Sequence, residues 1–275
     1  MKHNHPLLFL LLLVTISVPC QTTLITYNLR YDNPGDGINC WADRKEDVVR
    51  MIRYYQPDIL GIQEGLVGQV HYLDASLADY DFTGLGREDG ATRGEFAAIF
   101  FNKERLRLLD TRTWWLSETP DTVSVGWDAA LERIVTYGKF LALSSGDTFY
   151  VFNTHFDHIG QIAREQSADL ILQIIDRMGI WEKRIVVMGD LNAAPEEASI
   201  RRLSSRLEDP WAKNDILRSG PEGTFNAFDT EAPVDRRIDY IFVKNVDAKA
   251  CRHIADRRAN GLWPSDHLPV MVRLE

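Results

Sequence analysis

The chain has 275 residues, 45% of them hydrophobic, and no low-complexity tract or Pro/Gly-rich linker divides it, so one large domain with a sizeable core is expected. Its formal net charge of −9 gives polyanions no bulk attraction. That counts against nucleic acid as the partner unless a bound cation reverses the sign locally.

Lys2 is followed by an unbroken apolar run from Leu7 to Val14, too short to span a bilayer. With Pro19-Cys20 behind it, this reads as a signal peptide over residues 1–20. Residues 21–275 are then expected as a secreted or periplasmic, soluble monomer with no integral membrane segment. A lipidated Cys20 is the alternative, although Pro19 stands where such processing prefers a small residue. Cys40 and Cys251 remain; an oxidising compartment permits a bond between them, but two free thiols are expected.

Thr22 to Leu29 reads as a strand carrying Asn28 at its end, and Asn33-Pro34-Gly35-Asp36-Gly37 as loop. From Asp43, a natural N-cap, Val48, Val49, Ile52 and Tyr55 recur at helical spacing until Pro57 stops the run. Ile59 to Glu64 is a second buried strand, ending in a carboxylate. Strand, crossover helix, strand implies a right-handed unit with parallel strands, so Asn28 and Glu64 fall at one sheet edge. Phe96–Asn102, Leu106–Trp114 and Ile134–Leu143 read as consecutive antiparallel strands, with Glu95 and Arg133 at the heads of the first and third.

The same unit is then repeated. Phe149 to Asn153 leads into Thr154-His155, Gln161 to Met178 is a helix, and Arg184-Ile185-Val186-Val187 is a β-branched strand. That strand ends in Met188-Gly189-Asp190-Leu191-Asn192, where Gly189 lets the backbone turn without crowding its neighbours. Pro195 suits the first turn of a following helix, with Glu196 and Glu197 near its positive end. Asp190 and Asn192 lie at the carboxyl end of a strand, where open α/β sheets build their sites. Alone, Asp190 is better explained as a helix cap; matching groups at matching positions elsewhere overturn that. Two such units suggest two sheets packed face to face. Arg236 to Val243 is a strand with Asp239 on its inward face, where an acid needs a partner or a metal. Pro264-Ser265-Asp266-His267 precedes a last strand ending at Leu274.

Taken in order, Tyr27-Asn28, Gln63-Glu64, Asn153-Thr154-His155, Gly189-Asp190-Leu191-Asn192, Ile238-Asp239-Tyr240 and Ser265-Asp266-His267 resemble the endonuclease/exonuclease/phosphatase superfamily of metal-dependent phosphoesterases. The resemblance spans essentially all of residues 21–275 and implies a four-layer α/β/β/α sandwich, two mixed sheets flanked by helices. It implies that Glu64 holds a divalent cation with help from Asn28, and that Asp190 and Asn192 position the attacking water and phosphoryl oxygens. His267 would lie beside the scissile phosphate, oriented by Asp239, while Asp266 contacts metal or water. His155 would be a second phosphate-facing histidine oriented by Glu95, and Arg133 a phosphate-binding arginine. One departure stands out: Arg30 occupies a position where the abasic-site endonucleases carry an acid, which argues against a second metal there.

The residues support this independently. Carboxylates at Glu64, Asp190, Asp239 and Asp266 cannot all stay ionised in one pocket unless something positive sits among them. Mg²⁺ or Mn²⁺, hard cations with oxygen ligands, would resolve this. The expected activity is Mg²⁺-dependent hydrolysis of a phosphate ester, monoester or diester, by direct water attack. Three alternatives stay open: a secreted nuclease, a catalytically inactive ligand-binding relative, and a carbohydrate-processing enzyme using paired acids. Trp41, Trp127 and Trp263 sit in polar, turn-rich sequence and are expected to wall an aromatic pocket for a compact organic phosphate, sugar- or nucleotide-linked. Trp114, within a strand, is expected in the core.

Overall fold

A computed structural model describes residues 21–275; the leader expected over 1–20 lies outside them. In chain order the strands and helices are β1 (Thr22–Asn28), α1 (Trp41–Tyr55), β2 (Ile59–Gln63), α2 (Val67–Ser76), β3 (Tyr80–Thr83), β4 (Ile99–Asn102), β5 (Leu106–Trp115) and β6 (Ile134–Ala142). Then follow β7 (Thr148–His155), α3 (Gln161–Met178), β8 (Arg184–Asp190), α4 (Ala198–Ser204), β9 (Leu217–Ser219), β10 (Asp239–Lys244), β11 (Ala248–His253) and β12 (Val270–Leu274).

The strands form a seven-stranded sheet, ordered β3-β4-β2-β1-β12-β11-β9, and a five-stranded sheet, ordered β10-β8-β7-β6-β5. One core lies between the sheets and holds Leu24, Phe140, Val151, Val186 and Ile241. Outside the larger sheet, α1 supplies Val48, Val49 and Ile52 to a second core with Ile25, Tyr27 and Leu60. Outside the smaller sheet, α3 and α4 supply Ile171, Ile175, Ile200 and Leu203 against Phe152 and Val187. This is the four-layer α/β/β/α sandwich. Sheet residues alternate between an inner and an outer core, so the central strands read as continuous apolar runs.

Both crossover units place parallel strands side by side: β1 with β2, and β7 with β8. A buried polar rivet fixes one sheet against the other. Gln63 donates to Asn153 Oδ1 at 2.6 Å, and the Asn153 amide donates to the carbonyls of Ile62 and Ala98 at 2.9 Å each. Each of these groups would cost free energy if left unpaired in the interior, so the contact specifies how the sheets align.

Several expectations are corrected. The segment around β4 does not run on into β5 as a meander. It pairs with β2 and β3 in the larger sheet, because Ile99 and Phe101 face the inter-sheet core while Ala98 and Phe100 face the outer one. Helix α1 starts at Trp41 with Cys40, not Asp43, at the cap; the indole is drawn into the outer core and takes the first turn with it. Pro195 does not open the helix after β8. Glu197 stands at the N-cap position without a side-chain bond to the helix, and its carboxylate instead accepts the Ala194 N–H at 2.9 Å, making 194–197 a turn. Helix α2 and strands β3, β9 and β11 had no counterpart in the sequence reading. Cys40 and Cys251 are both free thiols. No helix among the described residues is long and apolar enough to cross a membrane.

Candidate active site

The smaller sheet sets three side chains in a row. Asp239 on β10, Asp190 on β8 and His155 on β7 are register partners across neighbouring strands. Gly189 makes the row feasible, since with φ of 148° a Cβ there would meet the Thr154 carbonyl oxygen at 1.9 Å. From the larger sheet, Asn28 ends β1 and Glu64 follows β2. Glu64 at φ 60° and Asn192 at φ 47° hold left-handed backbone; Asn tolerates that conformation and Glu does not favour it.

Asn28 joins the two sheets' contributions. Its amide nitrogen donates to Glu64 Oε1 at 3.0 Å and to Asp190 Oδ2 at 2.9 Å, while its oxygen accepts the Arg30 N–H at 2.9 Å. Asn28 thus ties two carboxylates together and presents nitrogen to them. Glu64 also accepts the Tyr31 N–H at 3.1 Å, and Asp190 accepts the Asn192 N–H at 2.9 Å.

Two imidazoles flank Asp190 Oδ2: His155 Nε2 at 3.5 Å and His267 Nε2 at 3.8 Å. They differ in charge. Burial alone would lower the His267 pKa, but the Asp239 and Asp190 carboxylates outweigh it and hold it up at about 10. Its Nδ1 lies 2.9 Å from Asp239 Oδ2, which also accepts the Thr224 hydroxyl at 2.6 Å. His155 goes the other way: burial, with the Arg133 charge adding to it, pushes its pKa down to about 3. Its Nε2 therefore accepts from the Asn192 amide at 3.1 Å. Burial raises the Asp190 pKa, with the His267 charge opposing, and raises that of Asp266 to about 6.

Glu95 sits 3.5 Å from His155 Nδ1, yet its carboxylate is gripped by Arg87 through bonds of 2.8 and 3.0 Å. Arg133 is buried and pinned by Asp157 at 3.2 Å and His158 at 2.9 Å, leaving Nη1 unpartnered in a small cavity that His155 also lines. Asp266 belongs to neither of the two groups that could hold a metal, and it lies 3.9 Å from Arg30 Nε.

Ligand atoms of Glu64, His155 and Asp190, and likewise of Asp190, Asp239 and His267, lie within 4.8 Å of one another. In the second set, His267 is already ion-paired to Asp239. The first set offers two carboxylates tied by one amide, and among the described residues neither forms an ion pair with Lys or Arg. Such oxygen donors fit a hard divalent cation.

The aromatic wall does not form. Trp41 is 5% exposed, edge-on to Tyr72 in the outer core, and Trp263 is 3% exposed, its N–H on the Asp229 carbonyl and its face under Arg257. Trp127 is half-buried against the core beside α3. Turn-rich sequence located these rings near loops but did not say which way they faced. Trp114 lies in the core as expected. The aromatic ring actually against the site is Phe225, edge-on to His267 at 5.0 Å between centroids, with the exposed Arg236 guanidinium 5.3 Å above it. Thr224, Phe225, Arg87 and Arg44 were missed. For Arg44 a signal existed, since it lies one turn before Val48 on the apolar stripe of α1.

Comparison with known proteins agrees with this geometry. The family model described as Endonuclease/Exonuclease/phosphatase family matches residues 25–267. An endonuclease/exonuclease/phosphatase from Bacteroides vulgatus superposes with a TM-score of 0.86 at 39% identity, covering 93% of this chain and 98% of that one. A mannosyl-6-phosphatase from Bacteroides thetaiotaomicron superposes with a TM-score of 0.88 at 35% identity, covering 92% and 99%. An uncharacterized protein of Acanthamoeba polyphaga mimivirus is 27% identical over 252 residues, 86% of this chain and 92% of that one.

Proposed function

The chain belongs to the endonuclease/exonuclease/phosphatase family of metal-dependent phosphoesterases, and we propose that within it the protein is a Mg²⁺-dependent phosphatase for a compact organic phosphate, a sugar phosphate above all. One observation carries the chemistry: the buried Asp190 carboxylate stands 3.5 and 3.8 Å from two imidazoles, one bonded to Asn192 and the other ion-paired to Asp239.

Glu64 and Asp190 would hold the cation, which when bound neutralises charge on the phosphoryl group and the leaving oxygen. Asn28 keeps those two carboxylates in register. Asp190 and Asn192 orient the attacking water, and Asp190 is the acceptor for that water's proton. His267 presents its Nε2–H to the phosphoryl group as a charged donor, held in that state by Asp239. His155 stays neutral and braces Asn192 through Nε2. Arg133 offers its free Nη1 close to His155.

Three observations support a small leaving group. The mannosyl-6-phosphatase aligns along almost its whole length. The net charge of −9 does not attract polyanions. An open cleft of about 470 Å³, lined by Ala194, Pro195, Glu196, Arg218, Asp235 and Arg236, adjoins the segments that carry Asn192 and Asp239. Its mixed carboxylates and guanidinium groups suit the hydroxyls of a sugar better than a hydrocarbon. The leader composition supports action outside the cytoplasm.

The test is a hydrolysis panel on purified protein, comparing mannose 6-phosphate and other sugar phosphates, nitrophenyl and bis-nitrophenyl phosphate, phospholipids and nucleic acids, with Mg²⁺ and with EDTA. Sugar phosphates are expected to turn over fastest and EDTA to abolish it. Preferred cutting of nucleic acid would replace this reading with that of a nuclease, and metal-independent turnover would remove the mechanism.

A further inference from the structure

Arg44, in the first turn of α1, has 0% of its surface exposed, and all of its hydrogen bonds go to backbone carbonyls. Nε donates to Asn39 at 2.9 Å, Nη2 to Arg30 at 2.6 Å, and Nη1 to both Leu29 and, at 3.3 Å, Pro264. Trp41 and Phe228 lie against the guanidinium at 5.1 and 5.8 Å. A buried cation without a carboxylate bonded to it is an expensive arrangement, kept only where several well-aimed acceptors offset the lost hydration. Lys could carry the charge but not the planar fork that reaches these acceptors.

The acceptors are what give Arg44 meaning. Leu29 and Arg30 directly follow Asn28, which ties Glu64 to Asp190. Pro264 directly precedes Ser265-Asp266-His267, and lies 220 residues further along the chain than Arg44. A second tie joins the same segments, the Ser265 hydroxyl donating to the Asn28 carbonyl at 2.7 Å. We propose that Arg44 is a positioning residue: its guanidinium locks the segment bearing Asn28 to the segment bearing His267, and so sets the alignment of the carboxylates with the imidazolium. This also assigns a purpose to Trp41 and Phe228 as walls that keep water from the guanidinium. The proposal rests on the reading of these groups as the active site.

The experiment uses Arg44→Lys and Ser265→Ala in the full chain, with two readouts. Hydrogen exchange by mass spectrometry on metal-free protein should show R44K exchanging at least about tenfold faster in residues 28–31 and in residues 264–267 together, with the strands of the smaller sheet unchanged. S265A should loosen the same two segments to a lesser degree. Kinetics on the best substrate, corrected for folded fraction, should show kcat for R44K at least about tenfold down with KM within about threefold. Exchange confined to the first turn of α1, or kcat for R44K within twofold of wild type, overturns the proposal. S265A keeps the test open if R44K fails to fold: no coupled loosening in S265A then overturns it. A wild-type protein inactive on every phosphate ester would end the functional reading, while the exchange arm would still decide whether the strut exists.

Discussion

His267 and Asp239 form a buried ion pair, Nδ1 to Oδ2 at 2.9 Å, and the same carboxylate oxygen is fixed by the Thr224 hydroxyl. Asp239 thereby does two things at once. It orients the ring so that Nε2 faces Asp190, and it keeps the ring charged against the cost of burial. A neutral His267 could still occupy the space, but it would lose a charge-assisted donor where negative charge develops.

Asp239→Asn removes the charge and keeps the shape. NMR titration of the metal-free protein should place wild-type His267 as imidazolium through pH 8, consistent with a pKa near 10, and the variant neutral well below that. The rate should fall by roughly 10²–10⁴, the usual loss when one positioned acid–base group is disabled. Unchanged titration of His267 would separate Asp239 from this role.

His155 makes a different pH prediction. Folded, its pKa is near 3; unfolded, near the ordinary 6.5. Between those values the unfolded chain binds the extra proton, so stability falls as pH drops from about 6.5 toward 3. His155→Gln should flatten that acid slope in chemical denaturation of the metal-free protein, relative to wild type. An identical slope in both would mean the imidazole is not buried neutral.

Glu64→Gln tests the metal reading. The amide is nearly isosteric and can keep the Tyr31 N–H contact through its oxygen. What it loses is the charge and the oxygen that accepts from the Asn28 amide, so half-maximal activity should need at least about tenfold more Mg²⁺, with the fold intact by circular dichroism. An unchanged Mg²⁺ titration would place the cation elsewhere.

Much of this site was legible because parallel crossover units put the carboxyl ends of β1, β2, β7 and β8 on one edge. Asn28, Glu64, His155 and Asp190 could therefore be gathered from strand ends alone. Side-chain direction off the regular elements was not legible. Trp41 and Trp263 turned inward, because a turn-rich stretch does not reveal whether the chain around it shields a ring. Glu95 was read as the partner of His155 only; the Arg87 fork depends on a hairpin turn over residues 87–95 that brings its ends together, which no periodicity encodes. Strand β4 was expected to be followed by β5 in one antiparallel run for a related reason: an apolar run tells that both faces are covered, not by which neighbours.

Arg236 is exposed, its guanidinium rests over Phe225, and it forms no ion pair among the described residues. Phe225 in turn abuts His267, so a group held by Arg236 would lie beside the reacting phosphate, within the cleft of about 470 Å³. A free guanidinium there offers several donors to sugar hydroxyls at little cost to the fold. Arg236→Gln should therefore leave stability nearly untouched, as exposed substitutions usually do, within about 0.5 kcal/mol. A partly exposed hydrogen bond is worth about 0.5–1.5 kcal/mol. KM for a sugar phosphate should accordingly rise roughly 3–10-fold. Nitrophenyl phosphate, which has no hydroxyls on its ring, should suffer less. Steady-state kinetics on both substrates decides it. Equal losses on the two would mean that Arg236 acts on the phosphate or through His267. No loss on either would place the sugar outside this cleft.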